Sequence, residues 1–157
     1  MSTQLRIPEG DLNLLRALQR YGIPFIIIGG HAVRFHGVER GVDDLDVAVN
    51  PEGRAKDLRD AISEVLGGDL PPYPIARFGK SYAQIIVKRD GLNSEILTSI
   101  TGVEFAEAYQ SAHVVEVDGV TVRVISKEHL IRHKRAAGRK PGREKDLLDV
   151  ERLEALE

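Results

Sequence analysis

Phe25-Ile26-Ile27-Ile28-Gly29-Gly30 and, 13 residues beyond its last glycine, Asp43-Asp44-Leu45-Asp46-Val47-Ala48-Val49 are the two runs from which the rest of the chain can be read. Residues 25–28 are too short and too β-branched for a helix, so they form a central strand that the two glycines end sharply. A short helix over residues 31–35 follows. Residues 45–49 alternate as a second strand. Successive strand side chains point to opposite faces, so Asp44 and Asp46 share one face with Leu45 on the other. Two carboxylates about 6 Å apart repel by roughly 2–3 kcal/mol at an effective dielectric near 20. A divalent cation neutralises such a pair, and magnesium, a hard ion held by a few carboxylates and substrate phosphates, suits it. Alone, Asp-x-Asp beside Asp43 reads first as a solvated acidic edge. The glycines change that reading. They allow close backbone approach, and amides at a helix N-terminus favour phosphate oxygens. A phosphate cradle facing paired carboxylates is the layout of a nucleotide–metal site.

Working outward, Asp11 is placed to cap a helix carrying Leu12, Leu15 and Leu18 on one face and stopped by Gly22. Residues 54–66 have helical spacing at Leu58, Ile62 and Leu66, and Gly67-Gly68 ends them. Residues 69–74, with three prolines, form a loop. Strands over 82–88 and 92–97 flank the turn Arg89-Asp90-Gly91, and a helix covers about 104–112. A second hairpin pairs 114–117 with 120–125. Ser126 caps a helix to about Ala137, with Glu128 in its first turn. After Gly138-Arg139-Lys140-Pro141-Gly142, a last helix covers 144–156. The expected fold is α/β (α+β): a mixed sheet flanked by helices in one domain over 1–157, with a C-terminal helical segment at about 126–157.

The 157 residues suffice for one domain with an ordinary core, at 42% hydrophobic and 29% charged. There are no cysteines, which excludes disulfides, thiolate metal sites and cysteine nucleophiles and fits a reducing, cytoplasmic setting. No apolar run approaches the roughly 20 residues of a membrane span, and Met1 to Arg6 show no apolar signal-peptide core. Net charge is −2, so any nucleic-acid binding rests on local patches. One such patch is the run 132–145, with seven Lys or Arg against one Glu. It reads either as a solvated helix end or as a surface for a phosphate-rich partner, a triphosphate or an RNA acceptor. His129 and His133, at i and i+4, lack the glutamate and thiols of a zinc site and read as solvated. His31 is the histidine best placed for nucleotide contact.

Gly29-Gly30 followed by Arg40-x-Val42-x-Asp44-Leu45-Asp46 resembles the signature of the nucleotidyltransferase superfamily. Within it, the resemblance points to the minimal nucleotidyltransferases and the AbiEii-type proteins of toxin–antitoxin and abortive-infection systems. Glu95-Ile96-Leu97 through Phe105 is similar to the family's third-carboxylate strand and next helix. Leu130-x-x-x-Lys134, then Arg143, Lys145-Asp146 and Asp149, is similar to its C-terminal segment. Three positions depart from the pattern: Val42 stands for the usual Thr, Glu95 for the usual Asp, and Lys140-Pro141-Gly142 lengthens a tight connection.

The resemblance implies transfer of a nucleoside monophosphate from a triphosphate, ATP foremost, to a hydroxyl acceptor, with pyrophosphate leaving. It makes Asp44, Asp46 and Glu95 the catalytic carboxylates and the ligands of Mg2+ or Mn2+, with Glu95 also able to accept the acceptor's proton. Gly29 and Gly30 would cradle the nucleotide, Arg40 or Lys134 would neutralise it, and Asp146 would orient Lys134. The bland alternatives are an exposed Arg40, a solvated Glu95, and a Lys134–Asp146 pair that only joins two helices. The acceptor would be a cognate toxin or antitoxin protein, an RNA end, or a small molecule such as an antibiotic. Little chain remains for a substrate domain, so a homo- or hetero-oligomer could complete the acceptor site. The contrary reading is a catalytically degenerate nucleotide-binding or interaction module, with Val42 and Glu95 recording lost activity.

Overall fold

The computed structural model describes residues 5–156, so most of the N-terminal segment read for a signal peptide lies outside the described residues. The elements are α1 (Glu9–Arg20), β1 (Phe25–Ile28), α2 (Gly29–Phe35), β2 (Leu45–Val49), α3 (Ala55–Val65), a 3₁₀ turn (Ile75–Gly79), β3 (Gln84–Arg89), β4 (Leu92–Leu97), α4 (Phe105–Ser111), β5 (His113–Val117), β6 (Val120–Val124), α5 (Lys127–Ala137) and α6 (Glu144–Glu154). One six-stranded mixed sheet has the order β3-β4-β2-β1-β6-β5. β1 runs antiparallel to β2 and parallel to β6, and β2 runs parallel to β4. The expected mixed sheet with flanking helices is therefore present. No described helix is long and apolar enough to cross a membrane.

β1 is buried along its whole length, as its unbroken apolar run requires of a central strand. β4 alternates instead, with Leu92, Ser94 and Ile96 buried and Asn93, Glu95 and Leu97 only partly so. In the parallel register Leu45 pairs with Ser94 and Asp46 with Glu95, so the buried face of one strand continues that of its neighbour. α1 and α3 contribute Leu12, Leu15, Leu18, Leu58 and Ile62 to the same core.

Three expectations are corrected, and one element is added. Asp11 does not cap α1; Pro8 occupies that position, and Asp11 lies inside the first turn at 3% exposure. The helix after β1 begins at Gly29 rather than His31, because Gly29 adopts φ +72 and lets the chain turn at once. A 3₁₀ turn follows the proline loop, anchored by the fully buried Phe78; the i, i+3 pair Ile75 and Phe78 was its sequence signal. His129 and His133 are not solvated. His129 Nδ1 lies 2.9 Å from Ser111 Oγ, and His133 Nδ1 lies 3.0 Å from the Thr101 carbonyl.

Candidate active site

Asp46 lies on β2 directly beside Glu95 of β4, and Asp44 enters from the residue before the strand. One carboxylate oxygen from each of Asp44, Asp46 and Glu95 lies within 4.8 Å of the other two. Three converging carboxylates repel; backbone pairing of β2 with β4 holds Asp46 beside Glu95, and Asp44 reaches them from the loop ahead of β2. The cost appears in Asp46: burial, then the charges of Asp44 and Glu95, push its carboxyl up to about 7 from an ordinary 3.8. An all-oxygen set at this spacing suits a hard divalent cation such as magnesium.

Gly29 carries the backbone into α2 directly against this cluster. A Cβ at Gly29 would lie 2.1 Å from Asp46 Oδ2, so no other residue fits there without moving the acid. At Gly30 a Cβ would stand 3.4 Å from Arg40 Nη2, which places that guanidinium over the glycine turn.

The cleft around the carboxylates has a volume of about 570 Å³ and is lined also by Arg40, Lys134, Arg143, Lys145 and Arg152. Lys134, Arg40 and Arg143 are held in a chain of ion pairs with α6. Lys134 Nζ donates to Asp146 Oδ1 at 2.9 Å and lies 3.0 Å from Asp149 Oδ2. Arg40 Nη1 donates to the same Asp149 oxygen at 2.6 Å, and Arg143 Nε donates to Asp146 Oδ2 at 3.0 Å. Burial opposes ionisation of Asp146, but Lys134 and Arg143 outweigh it and hold its pKa below the ordinary value. Arg40 is thus part of the ion-pair chain rather than a free surface cation.

Of the residues singled out from sequence, Gly30, Arg40, Asp44, Asp46, Glu95, Lys134 and Asp146 line one cleft. Gly29 supports it from behind, against Asp46. His31 is not among the lining residues; burial, then the charge of Arg34, lowers its pKa. Sequence reading missed Gln84, Leu148 and Arg152. Lys145, Leu148 and Arg152 repeat at three- and four-residue spacing along α6, the one signal that could have found the last two.

The model of the family described as "Nucleotidyl transferase of unknown function (DUF2204)" matches residues 10–155. The chain belongs to that family. No curated protein matches it. Among solved structures, an antigenic nucleotidyltransferase-like protein from Paracoccidioides brasiliensis is similar over 94% of this chain and 77% of its own, with TM-score 0.54 and 17% identity. The antibiotic-resistance factor ANT(2'')-Ia is similar over 90% of this chain and 79% of its own, with TM-score 0.57 and 22% identity. A crystal structure of ANT(2'')-Ia in complex with adenylyl-2''-tobramycin gives TM-score 0.54 at 22% identity, covering 90% of this chain and 84% of that one. At these identities the likeness is one of fold.

Proposed function

We propose that this family member transfers a nucleoside monophosphate from a nucleoside triphosphate to a hydroxyl acceptor, with Mg2+ or Mn2+ held by Asp44, Asp46 and Glu95. The observation that carries this reading is the convergence of those three carboxylates within 4.8 Å of one another, in a cleft that basic side chains also line. Bound there, divalent cations would supply charge neutralisation at the transferring phosphoryl group. Gly29 and Gly30 bring backbone close to the phosphates, and Arg40 faces the glycine turn from α6's side. Lys145 and Arg152 add positive charge at the cleft wall. Lys134, already met by Asp146 and Asp149, holds the wall in place and contributes its field. Glu95 takes the acceptor's proton as the new phosphorus–oxygen bond forms and the bond to pyrophosphate breaks, so atoms and charge balance.

The setting we favour is toxin–antitoxin or related defence, in the cytoplasm, with ATP as donor and a partner protein or RNA as acceptor. The fold likeness to an antibiotic-resistance factor adds a small polyhydroxyl acceptor to the panel worth testing. The decisive assay is pyrophosphate release from each NTP with and without Mg2+, for the native chain and for Asp44→Asn and Asp46→Asn. Metal-dependent release abolished in both variants supports the reading. Nucleotide binding without turnover across all acceptors would favour a degenerate binding module instead.

A further inference from the structure

We propose that Asp11 and Asn93, neither of them lining the cleft, are positioning residues that fix the Asp44 loop against the Glu95 strand. The inference rests on the proposed metal-dependent reading of the site and concerns how the three carboxylates are kept in register.

Asp11 is 3% exposed and Ser94 is fully buried. Asp11 Oδ1 accepts from the Asn93 backbone N–H at 2.8 Å and from Ser94 Oγ–H at 2.5 Å. Among the described residues no Lys or Arg forms an ion pair with this buried carboxylate, and its hydrogen-bond donors are these two groups. The approach that makes this possible is built in one residue earlier. A Cβ at Gly10 would lie 1.9 Å from the Gly91 carbonyl oxygen and 3.4 Å from Leu92 Cα, so the start of α1 presses directly on the β3–β4 turn.

Asn93 continues the link to the other side of the sheet. Its side-chain Nδ2 donates to the Asp43 carbonyl at 3.2 Å, the peptide that leads into Asp44. Its Oδ1 is buried without a hydrogen-bond partner, so the amide sits there at a cost in solvation. Alternation puts Asn93 on the same face of β4 as Glu95, two residues on. Asp11 therefore grips β4 from one face, and Asn93 ties β4 to the acidic loop from the other. The β2–β4 register already pairs residues 45–46 with 94–95, and the asparagine extends that tie to the peptide ahead of Asp44, which strand pairing does not reach.

Outer-sphere partners of metal ligands change affinity or activity by about 10–100-fold when removed. The test uses the full chain with Mn2+ alone, read by calorimetry, beside the metal-free melting temperature and pyrophosphate release as a function of Mn2+. Asn93→Ala should bind Mn2+ about tenfold more weakly, keep a near-native metal-free melting temperature, and regain turnover at high Mn2+. Asp11→Asn, which keeps an acceptor oxygen, should lie between native and Asp11→Ala. Should Asp11→Ala fail to fold, Ser94→Ala removes one of the same bonds and is expected to weaken Mn2+ binding. Native Mn2+ affinity in Asn93→Ala and Ser94→Ala would overturn the positioning role while leaving the proposed reaction intact. Failure of the native chain to bind Mn2+ would instead overturn the metal-dependent reading itself.

Discussion

Asp46 and Glu95 are direct neighbours in the parallel register of β2 and β4, with Ile28 opposite Asp46 on the antiparallel side. The spacing of the two acids is therefore set by strand pairing, and only Asp44 depends on a loop. This division shapes what each substitution should do.

The contribution of Asp46 to metal-free stability should fall as pH rises, against the opposite trend of the half-buried His31, His36 and His133. Below about pH 4 Asp46 carries its proton in both states. Above the ordinary 3.8 the unfolded chain ionises while the folded chain keeps the proton to about 7, so stability is lost across that window and levels off beyond it. Asp46→Asn should remove this contribution, raising the melting temperature most at pH 8 and less at pH 5. Magnesium should stabilise the native chain more at pH 8 than at pH 5, because metal and proton compete for one carboxylate. Thermal melts across pH, with and without Mg2+, check all three.

Glu95→Gln should retain nucleotide binding and lose most turnover, since a proton acceptor and a metal ligand go together. Glu95→Asp should stay partly active, because a carboxylate remains but reaches about 1.5 Å less. Parallel measurement of nucleotide affinity and pyrophosphate release separates the two roles. Loss of folding in Glu95→Gln would count against this division.

Gly29→Ala should do two things at once. Its φ of +72 disfavours any Cβ, and the methyl would collide with Asp46 Oδ2. A loss of about 1 kcal/mol or more in urea unfolding is expected, together with weakened Mn2+ binding. Gly41→Ala, where a Cβ meets nothing within 4 Å, is the matched control.

Lys134→Met should destabilise by about 3 kcal/mol in urea unfolding, since it strands Asp146 and Asp149, at 2% and 5% exposure, without their shared ammonium. Arg40 and Arg143 still face these carboxylates, which keeps the loss from being larger. A Lys134→Met chain as stable as the native would show the ion-pair chain to be energetically idle.

Arg132, Arg135 and Arg139 line a second groove on α5, away from the carboxylates. If the acceptor is RNA, binding should weaken steeply with salt, and Arg139→Ala with Lys140→Ala should flatten that slope. Salt-independent binding would leave the groove as a solvated helix face.

Asp44 and Asp46 could be read from the chain because strand alternation puts them on one face, whereas Glu95 joined them only through the family resemblance. The adjacency of Asp46 and Glu95 could not be read, because strand order is a property of the sheet, and β4 reaches β2 across 42 intervening residues. Arg40 was the harder case. Nothing local tells that it meets Asp149, more than a hundred residues on. Asp11 misled for a related reason: an acid ahead of an apolar face is the ordinary sign of a cap, yet here α1 starts two residues earlier and the side chain turns inward to β4.

A single oxygen, Asp149 Oδ2, holds both Arg40 and Lys134. This has a consequence for the order in which the protein is made. Asp44, Asp46, Glu95, Gly29 and Gly30 emerge from the ribosome before α6, but Arg40 and Lys134 have no carboxylate counterpart until that helix follows. A nascent chain lacking α6 would therefore hold Arg40 and Lys134 without their anchor, and the cleft wall would be assembled only once α6 has emerged.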